Sequence, residues 1–455
     1  FEGGRQNNRQ NRNHNSMRMV ENIFEELDAP GEWFHSADTG VLYVYPPEGI
    51  DLDQSEVVTV QLAHLIEFQG AVGPVPSPGV SPQAMPGDAG SGDPAYRKML
   101  VSPVSWIILE GITFRHTART FMETKEPLLR SDWTIYRGGA VTFTGASDCT
   151  VQDCTFDSPG GNAVFVNKWN RRITVKSSHF KEVGASAVAF VGSPDAVRNP
   201  QFEYRQQNQY DEIDMTPGPK SDDYPADCLV EDCLMARTGR IEKQGAGVQI
   251  SMAHRITVRH CSIYDTSRAG INISEGTFGG HIIEFCDVFD TVRETGDHCS
   301  FNSWGRDRFW HLKGAPEEKL PELSKLDILD KTIIRNSRWR CDHGWDVDLD
   351  DGSSHYEIYN NLMLHRGLKL REGFGRKVYN NITVNNALHP HVWYPECGDE
   401  VTGNIWMTAY RPAAMRTEDQ FSGAKVDRNM FMSEDDRAKF VDKGWDENSI
   451  VGDPM

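Results

Sequence analysis

A chain of 455 residues with 66 acidic and 47 basic side chains has a net charge of −19, which excludes the broad basic surface that nucleic-acid phosphates require. No apolar run reaches the roughly 18 residues of a membrane-spanning helix, so no such span is expected. Nine cysteines is an odd number, and no close CxxC pair occurs among them, so they read as small buried side chains rather than disulfides or zinc ligands.

Residues 1–69 read as an N-terminal, strand-rich cap or the remainder of an upstream solenoid. Within it, Gly31-Glu-Trp-Phe34 and Gly40-Val-Leu-Tyr-Val-Tyr45 suggest a hairpin, followed by short strands at Val57 to Val60 and Leu65 to Phe68. Residues 70–95 are rich in Gly, Pro and Ser and are expected to form a surface loop.

From residue 96 to 455 one short frame recurs. Val151-Gln-Asp-Cys154-Thr-Phe156 is followed by Val175-Lys-Ser-Ser178-His-Phe180, Val230-Glu-Asp-Cys233, Val258-Arg-His-Cys261, Ile283-Glu-Phe-Cys286, Ile334-Arg-Asn-Ser337, Ile358-Tyr-Asn-Asn361 and Val378-Tyr-Asn-Asn381. Trp106 to Phe114 gives the first clear unit, and Asn404 and Asn429 continue the frame. Adjacent units step by roughly 20–28 residues, the period of a solenoid whose coils are made of short strands. Alternation in Val248-Gln-Ile250, Ile271-Asn-Ile273 and Val347-Asp-Leu349 supports half-buried strands. The expected fold is an all-β, right-handed parallel β-helix with stacked Cys, Ser and Asn inside its turns. Two longer steps predict insertions around residues 199–224 and 306–327, the second with room for a short helix. Long insertions on a solenoid often wall a binding face.

Acids, aromatics and cations concentrate between Glu275 and Trp393. If Val347 and Leu349 point inward, period two sends Asp346, Asp348 and Asp350 outward, with Lys369 and Arg371 nearly above them one coil later. Crowded aspartates favour protonation of one while the cations keep another ionised, the two states that glycosidic hydrolysis uses. Trp304, Trp310 and Trp345 are candidate sugar platforms or core residues. Glu275, Glu294, Asp297, His298, Arg306, Arg308, His343 and Glu372 are candidate substrate contacts, and Glu294 and Asp297, near a turn, are also credible catalytic acids. Asp346, Asp348, Asp350 and Asp351 also offer hard oxygens to calcium, but their spacing is not an EF-hand loop. No cofactor and no metal site are expected. The bland alternative for the aspartates is a solvated or Arg-paired face.

At these residues a resemblance enters. Gly31-Glu-Trp-Phe34 with Tyr43-Val-Tyr-Pro-Pro47, Gly296-Asp-His298, Asn302-Ser-Trp-Gly-Arg-Asp307, Trp345-Asp-Val-Asp-Leu-Asp-Asp-Gly352 and Leu368-Lys-Leu-Arg-Glu-Gly373 resemble the bacterial right-handed β-helix glycoside hydrolases of family 141. The resemblance runs over most of the chain from Gly31. It implies an α-L-fucosidase acting on pectin of the rhamnogalacturonan II type, or a xylanase, with Asp307 and Asp348 as the two catalytic aspartates and their roles open. It also implies a polysaccharide or oligosaccharide partner, a monomer, and a secreted, periplasmic or cell-surface location in a bacterium. A β-helical polysaccharide lyase using Lys369 or Arg371, and a non-catalytic carbohydrate-binding solenoid, are the competing readings.

Overall fold

The computed structural model describes residues 21–76, 96–121, 123, 126–127, 129, 134–274, 278–296 and 298–453. The chain divides into two compact units, Arg9–Gln61 and a large one from Leu62 to Met455. In the small unit, Trp33–Ser36 pairs antiparallel with Val41–Val44, and Phe24 packs edge to face on the rings of Phe34 and Tyr43, which are tilted against each other.

Among the described residues the large unit is a parallel β-helix of three long sheets, with 12, 11 and 12 strands. Each central coil contributes a strand to all three sheets, and the last coils only to the second and third. The first sheet runs from Ile66–Gln69 through Gly139–Ser147 and on to Leu388–Pro390. Inward residues stack in register: Val151, Val175, Val230, Val258, Ile283, Ile334, Ile358 and Val378 pair in sequence along the second sheet and are fully buried. In the third sheet Phe114, Phe156 and Phe180 stack face to face at 4.8 Å, close to the strand spacing. Like side chains one above another thus fill the narrow core.

The turn from the second to the third sheet explains the recurring frame. Asp153, Ser177, Asp232, His260, Phe285, Asn336, Asn360 and Asn380 all have φ between 47° and 55°. Asp and Asn tolerate this left-handed conformation best, and a Phe held there shows how strongly the stacked coils impose it. The next residue points inward. In the later coils it is Asn, whose Oδ1 accepts the backbone N–H of the preceding Asn: Asn361 to Asn381, Asn381 to Asn404 and Asn404 to Asn429, each at 3.0 Å. The Nδ2 of Asn381 donates to Ile358 O at 2.9 Å. In earlier coils Cys takes the position and its thiol meets the carbonyl two residues back, as Cys233 does with Glu231 at 3.2 Å. All nine cysteines are free and buried. Replacing Asn381 by Ala strands the Asn361 N–H and the Ile358 carbonyl in a dry interior. The expected cost is about 1–3 kcal/mol, read as a lower chemical-denaturation midpoint than wild type.

Two boundaries move from their sequence expectation. Ile66–Gln69 pairs in parallel with Gly139–Ser147, so the solenoid starts before residue 70, because Ile66 and Phe68 stack on Val141 and Phe143. The Gly/Pro/Ser stretch begins inside a strand: Ala71–Pro76 pairs antiparallel with Tyr96–Ser102, and residues 77–95 lie outside the described residues.

The two excursions leave the C-terminal ends of first-sheet strands, between Val188–Val191 and Pro225–Ala226 and between Phe301–Trp304 and Thr332–Arg335. The second holds the short helix Leu320–Leu323. They are laced together by main-chain bonds, Tyr210 N to Lys313 O at 3.0 Å, Lys313 N to Asn208 O at 3.0 Å and Gly218 N to Leu326 O at 2.7 Å. Arg308 completes the lacing, donating to the Asp327 carboxylate and to the carbonyls of Leu326, Thr216 and Asp214.

Candidate functional site

The outer face of the first sheet carries a polar row. Gln249, Asn272, Asn302, Asp348, Lys369 and His389 are successive register partners, and Trp304 is opposite Asp350. Val347 and Leu349 point into the core, so the alternation argument places Asp348 and Asp350 outward as expected. The face is nevertheless not solvated. Asn272, Asn302 and Asp348 are buried, as is Arg268, which donates to the Oδ1 atoms of Asn272 and Asn302 at 3.3 Å.

Lys369 is the centre of the site. Its Nζ donates to Asp348 Oδ2 and to Asp350 Oδ1, both at 3.1 Å, and lies 4.5 Å from the ring centroid of the half-buried Trp345. The Cys299 thiol donates to the same Asp348 Oδ2 at 3.3 Å. The Oδ1 of Asp348 is buried and has no hydrogen-bond partner among the described residues. Burial pushes the Asp348 carboxyl up to about 7; Lys369 opposes this and the neighbouring Asp350 charge reinforces it. Burial would also raise Asp350, but Lys369, Arg371 and Arg306 together outweigh it and hold that carboxyl well below the ordinary range. Lys369 loses solvation yet stays firmly cationic, because both aspartates face it. One strand therefore presents a neutral acid and an anion two residues apart.

A second tier surrounds them. Arg371 Nη1 reaches Asp350 at 3.2 Å and Asp351 at 2.8 Å, and its Nε reaches Glu372 at 2.8 Å. Arg306 donates to Asp351 Oδ2 through Nε at 2.9 Å and stands 4.7 Å over Tyr204 from the other excursion. Burial lifts the Glu372 carboxyl to about 7 against the pull of Arg371, and Trp310 Nε1 donates to it at 3.2 Å. His389 and His391 close the C-terminal side, their protonation disfavoured chiefly by burial.

Several expected contacts are placed otherwise. Asp346 precedes the strand, and its two oxygens accept four backbone N–H groups, from Cys341, His365, Arg366 and Gly367, so it fastens two turns instead of meeting a substrate. Arg308 and Trp310 are almost wholly buried, in the lacing of the excursions and against Tyr204 and Glu372, and offer no sugar surface. Trp304 is also buried, flanked by the guanidinium groups of Arg268 and Arg306. Asp307 lines a small cavity of about 10 Å³ with Arg198, Asn199, Gln201, Asn208, Arg306, Arg308 and Asp327. The hydroxyl of the buried Tyr356 in the second sheet is held protonated by burial first and by Asp307 in addition.

Glu294 lies in a turn leading into the first sheet, paired with Arg240 at 3.3 Å and Lys243 at 2.6 Å. His343 is exposed and His298 half-buried in the neighbouring turns. Those turns touch: a Cβ on Gly344 would sit 1.7 Å from His298 O, so glycine alone permits the approach. Glu275 and Asp297 lie outside the described residues. The four aspartates weighed as calcium ligands are engaged by backbone amides, Lys369, Arg306 and Arg371, and the described residues hold no metal-ligating group of three. Sequence reasoning missed Tyr204 and the bond from Cys299 to Asp348. The only signal for the latter was a Cys two residues before an outward-facing strand.

Residues 139–305 match the family model described as a right handed beta helix region. The molecule is thus a right-handed parallel β-helix protein bearing an acidic, lysine-bridged face. A solved structure named as a glycoside hydrolase is similar to it at a TM-score of 0.51 and 16% identity, over 89% of this chain and 60% of that one. At that identity the likeness speaks for the fold alone, and this chain spans about 60% of the length of its neighbour. No curated protein matches by sequence.

Proposed function

We propose that the chain is a glycoside hydrolase of complex polysaccharides, an α-L-fucosidase on pectin-type glycan first and a xylanase next. The observation that carries this reading is the pair Asp348 and Asp350 on one strand, both bonded to Lys369, with burial pushing the first carboxyl up and Lys369, Arg371 and Arg306 holding the second down. Glycoside hydrolysis needs a proton donor for the departing oxygen beside an ionised carboxylate. Asp348 fills the first role and Asp350 the second, replacing Asp307 as its partner. Lys369 is kept cationic by both acids, which disfavours its use as the proton-abstracting base of a lyase. A bacterial, extracytoplasmic location and a monomeric state accompany this proposal, following the size of such substrates.

Product analysis on fucosylated pectin fragments and xylans tests it, with wild type beside Asp348→Asn, Asp350→Asn and Asp307→Asn. Free fucose or xylo-oligosaccharides lost in the first two variants are the expected products. An unsaturated uronate would point to a lyase, and loss in Asp307→Asn with full activity in Asp350→Asn would restore the pairing that the resemblance implies. The pH profile is a separate check. Because the donor must carry its proton, kcat/KM should fall as pH rises through about 7, where Asp348 ionises. On the acid side it should persist below the ordinary carboxylate range, where Asp350 is still an anion. An unchanged rate across roughly pH 5 to 9 would sink the assignment.

A further inference from the structure

Resting on the reading of this face as a glycan site, we infer that Arg366 and Arg411 hold a carboxylate of the glycan, so that the chain takes uronate-bearing saccharides in preference to neutral ones. The observation is a pair of uncompensated guanidinium groups at the open end of the polar row. Many arginines of the coils lie against an acid of a neighbouring coil, as Arg172 does with Asp148, Arg255 with Asp227, Arg259 with Glu231 and Arg338 with Asp287. Arg366 and Arg411 are exposed, and among the described residues neither guanidinium has a hydrogen bond or an ion pair. Acids outnumber cations 66 to 47 in the chain, yet none is set against these two.

The fold brings the two arginines to one place. Arg411 N donates to Leu388 O at 3.0 Å and Ala413 N to Pro390 O at 2.9 Å, so residues 411–413 run alongside Leu388–Pro390 and Arg411 falls beside His389. Pro390 has no N–H to return, which is why the regular ladder stops there. The row Asp348, Lys369, His389 therefore ends on Arg411. Arg366 comes from the turn before Leu368–Leu370, where its own N–H is pinned on Asp346 Oδ2 at 3.0 Å, one coil beyond the matching turn that carries Trp345. His389 lies between them, its ring edge-on to Trp345 at 6.1 Å. Burial first, and then Arg411, Lys369, Arg366 and His391, push its protonation down to about 4, so the imidazole is neutral at pH 7 and the arginines carry the charge. The acids of the site are engaged elsewhere, Asp348 and Asp350 by Lys369, and Asp351 and Glu372 by Arg371. A carboxylate suits what is left. Guanidinium presents paired N–H donors that match its two oxygens, and such bonds are roughly twice as strong as neutral ones. The half-buried Trp345 offers the sugar ring an apolar wall nearby. The net charge of −19 does not forbid this, because fields at physiological ionic strength decay over ~8 Å and an anion at Arg411 meets the local cations first.

Titration calorimetry tests this on the full chain carrying Asp348→Asn, which keeps turnover from consuming the ligand, with tetragalacturonic acid, its methyl ester and xylotetraose. The acid should bind, and esterification, which removes the charge and keeps the sugar, should weaken it by about 10-fold or more. Arg366→Gln and Arg411→Gln should each weaken binding of the acid by a similar factor, leave the ester unaffected, and melt with the parent because both side chains are exposed. Equal affinity for acid and ester, no binding of the acid at millimolar concentration, or unchanged affinity when both arginines are replaced overturns the inference. Fucose or xylo-oligosaccharides released by the wild-type chain in that event leave the hydrolase reading standing. Conversely, binding of the acid that needs the arginines, with no products from any glycan, upholds the inference and withdraws hydrolysis.

Discussion

Asp348→Asn is expected to lower kcat/KM by about 10²–10⁴ and, in the same molecule, to raise stability at neutral and alkaline pH. The loss of rate follows from replacing a proton donor by an amide that cannot supply one. The gain in stability follows from linkage. Asp348 is protonated up to about 7 in the folded chain but ionises near its ordinary value of 3.8 when unfolded. Folding therefore takes up a proton between those values, so the group's contribution to stability is full below about 4, falls as pH rises, and is lost above about 7. Asn mimics the neutral acid: its Oδ1 can still accept from Lys369 and Cys299, and it has no proton to lose. Thermal midpoints of the two proteins should thus coincide near pH 4 and separate toward pH 8 with the variant higher, by an amount on the order of 1–3 kcal/mol. A variant that melts lower than wild type at pH 8 would mean that folding favours the Asp348 carboxylate instead of its acid, and the acid assignment would go with it.

Asp399→Ala is expected to be the most damaging single change to the fold, at about 3–5 kcal/mol. Arg376 and Asp399 are both fully buried. Arg376 donates from its backbone N at 2.9 Å, from Nε at 2.9 and 3.1 Å to the two carboxylate oxygens, and from Nη2 at 2.5 Å. Removing the acid leaves a guanidinium in the interior with only carbonyls as partners. Those carbonyls matter: Arg376 also donates to the Arg371 carbonyl, at the end of the strand that carries Lys369. The variant should therefore lose activity as well as stability. The double change Asp399→Leu with Arg376→Met removes both charges and should recover most of the melting temperature. Failure of that double variant to recover would assign the loss to packing rather than to the orphaned charge.

The coil architecture was legible because it is written locally. A valine or isoleucine, a residue able to sit at positive φ, and a small or amide side chain recur within four positions, and each has a role that does not depend on distant residues. Asp348 and Asp350 were legible in direction for the same reason. Their burial was not, because of the groups that cover the face only Trp345 is adjacent in sequence, while Arg268 and Cys299 come from turns of other coils. The surroundings of Asp307 were not legible on the same ground. Asp307 lies three residues beyond the end of a first-sheet strand, where the chain has already turned into an excursion whose path is set by Arg308, Asp327 and a loop about 100 residues earlier. Asp346 misled for a subtler reason, since alternation gives the face of a side chain but not whether four main-chain amides await it.

The asparagine series from Asn361 to Asn429 orients every carboxamide the same way along the solenoid axis, oxygen toward the earlier coil. Such a file of parallel dipoles polarises each member through its neighbours, so its strength grows with its length. A substitution at the middle, Asn381, should consequently weaken the coils on both sides of it, whereas one at the end, Asn429, which already leans on Ser449, Asp446 and Tyr410, should be contained.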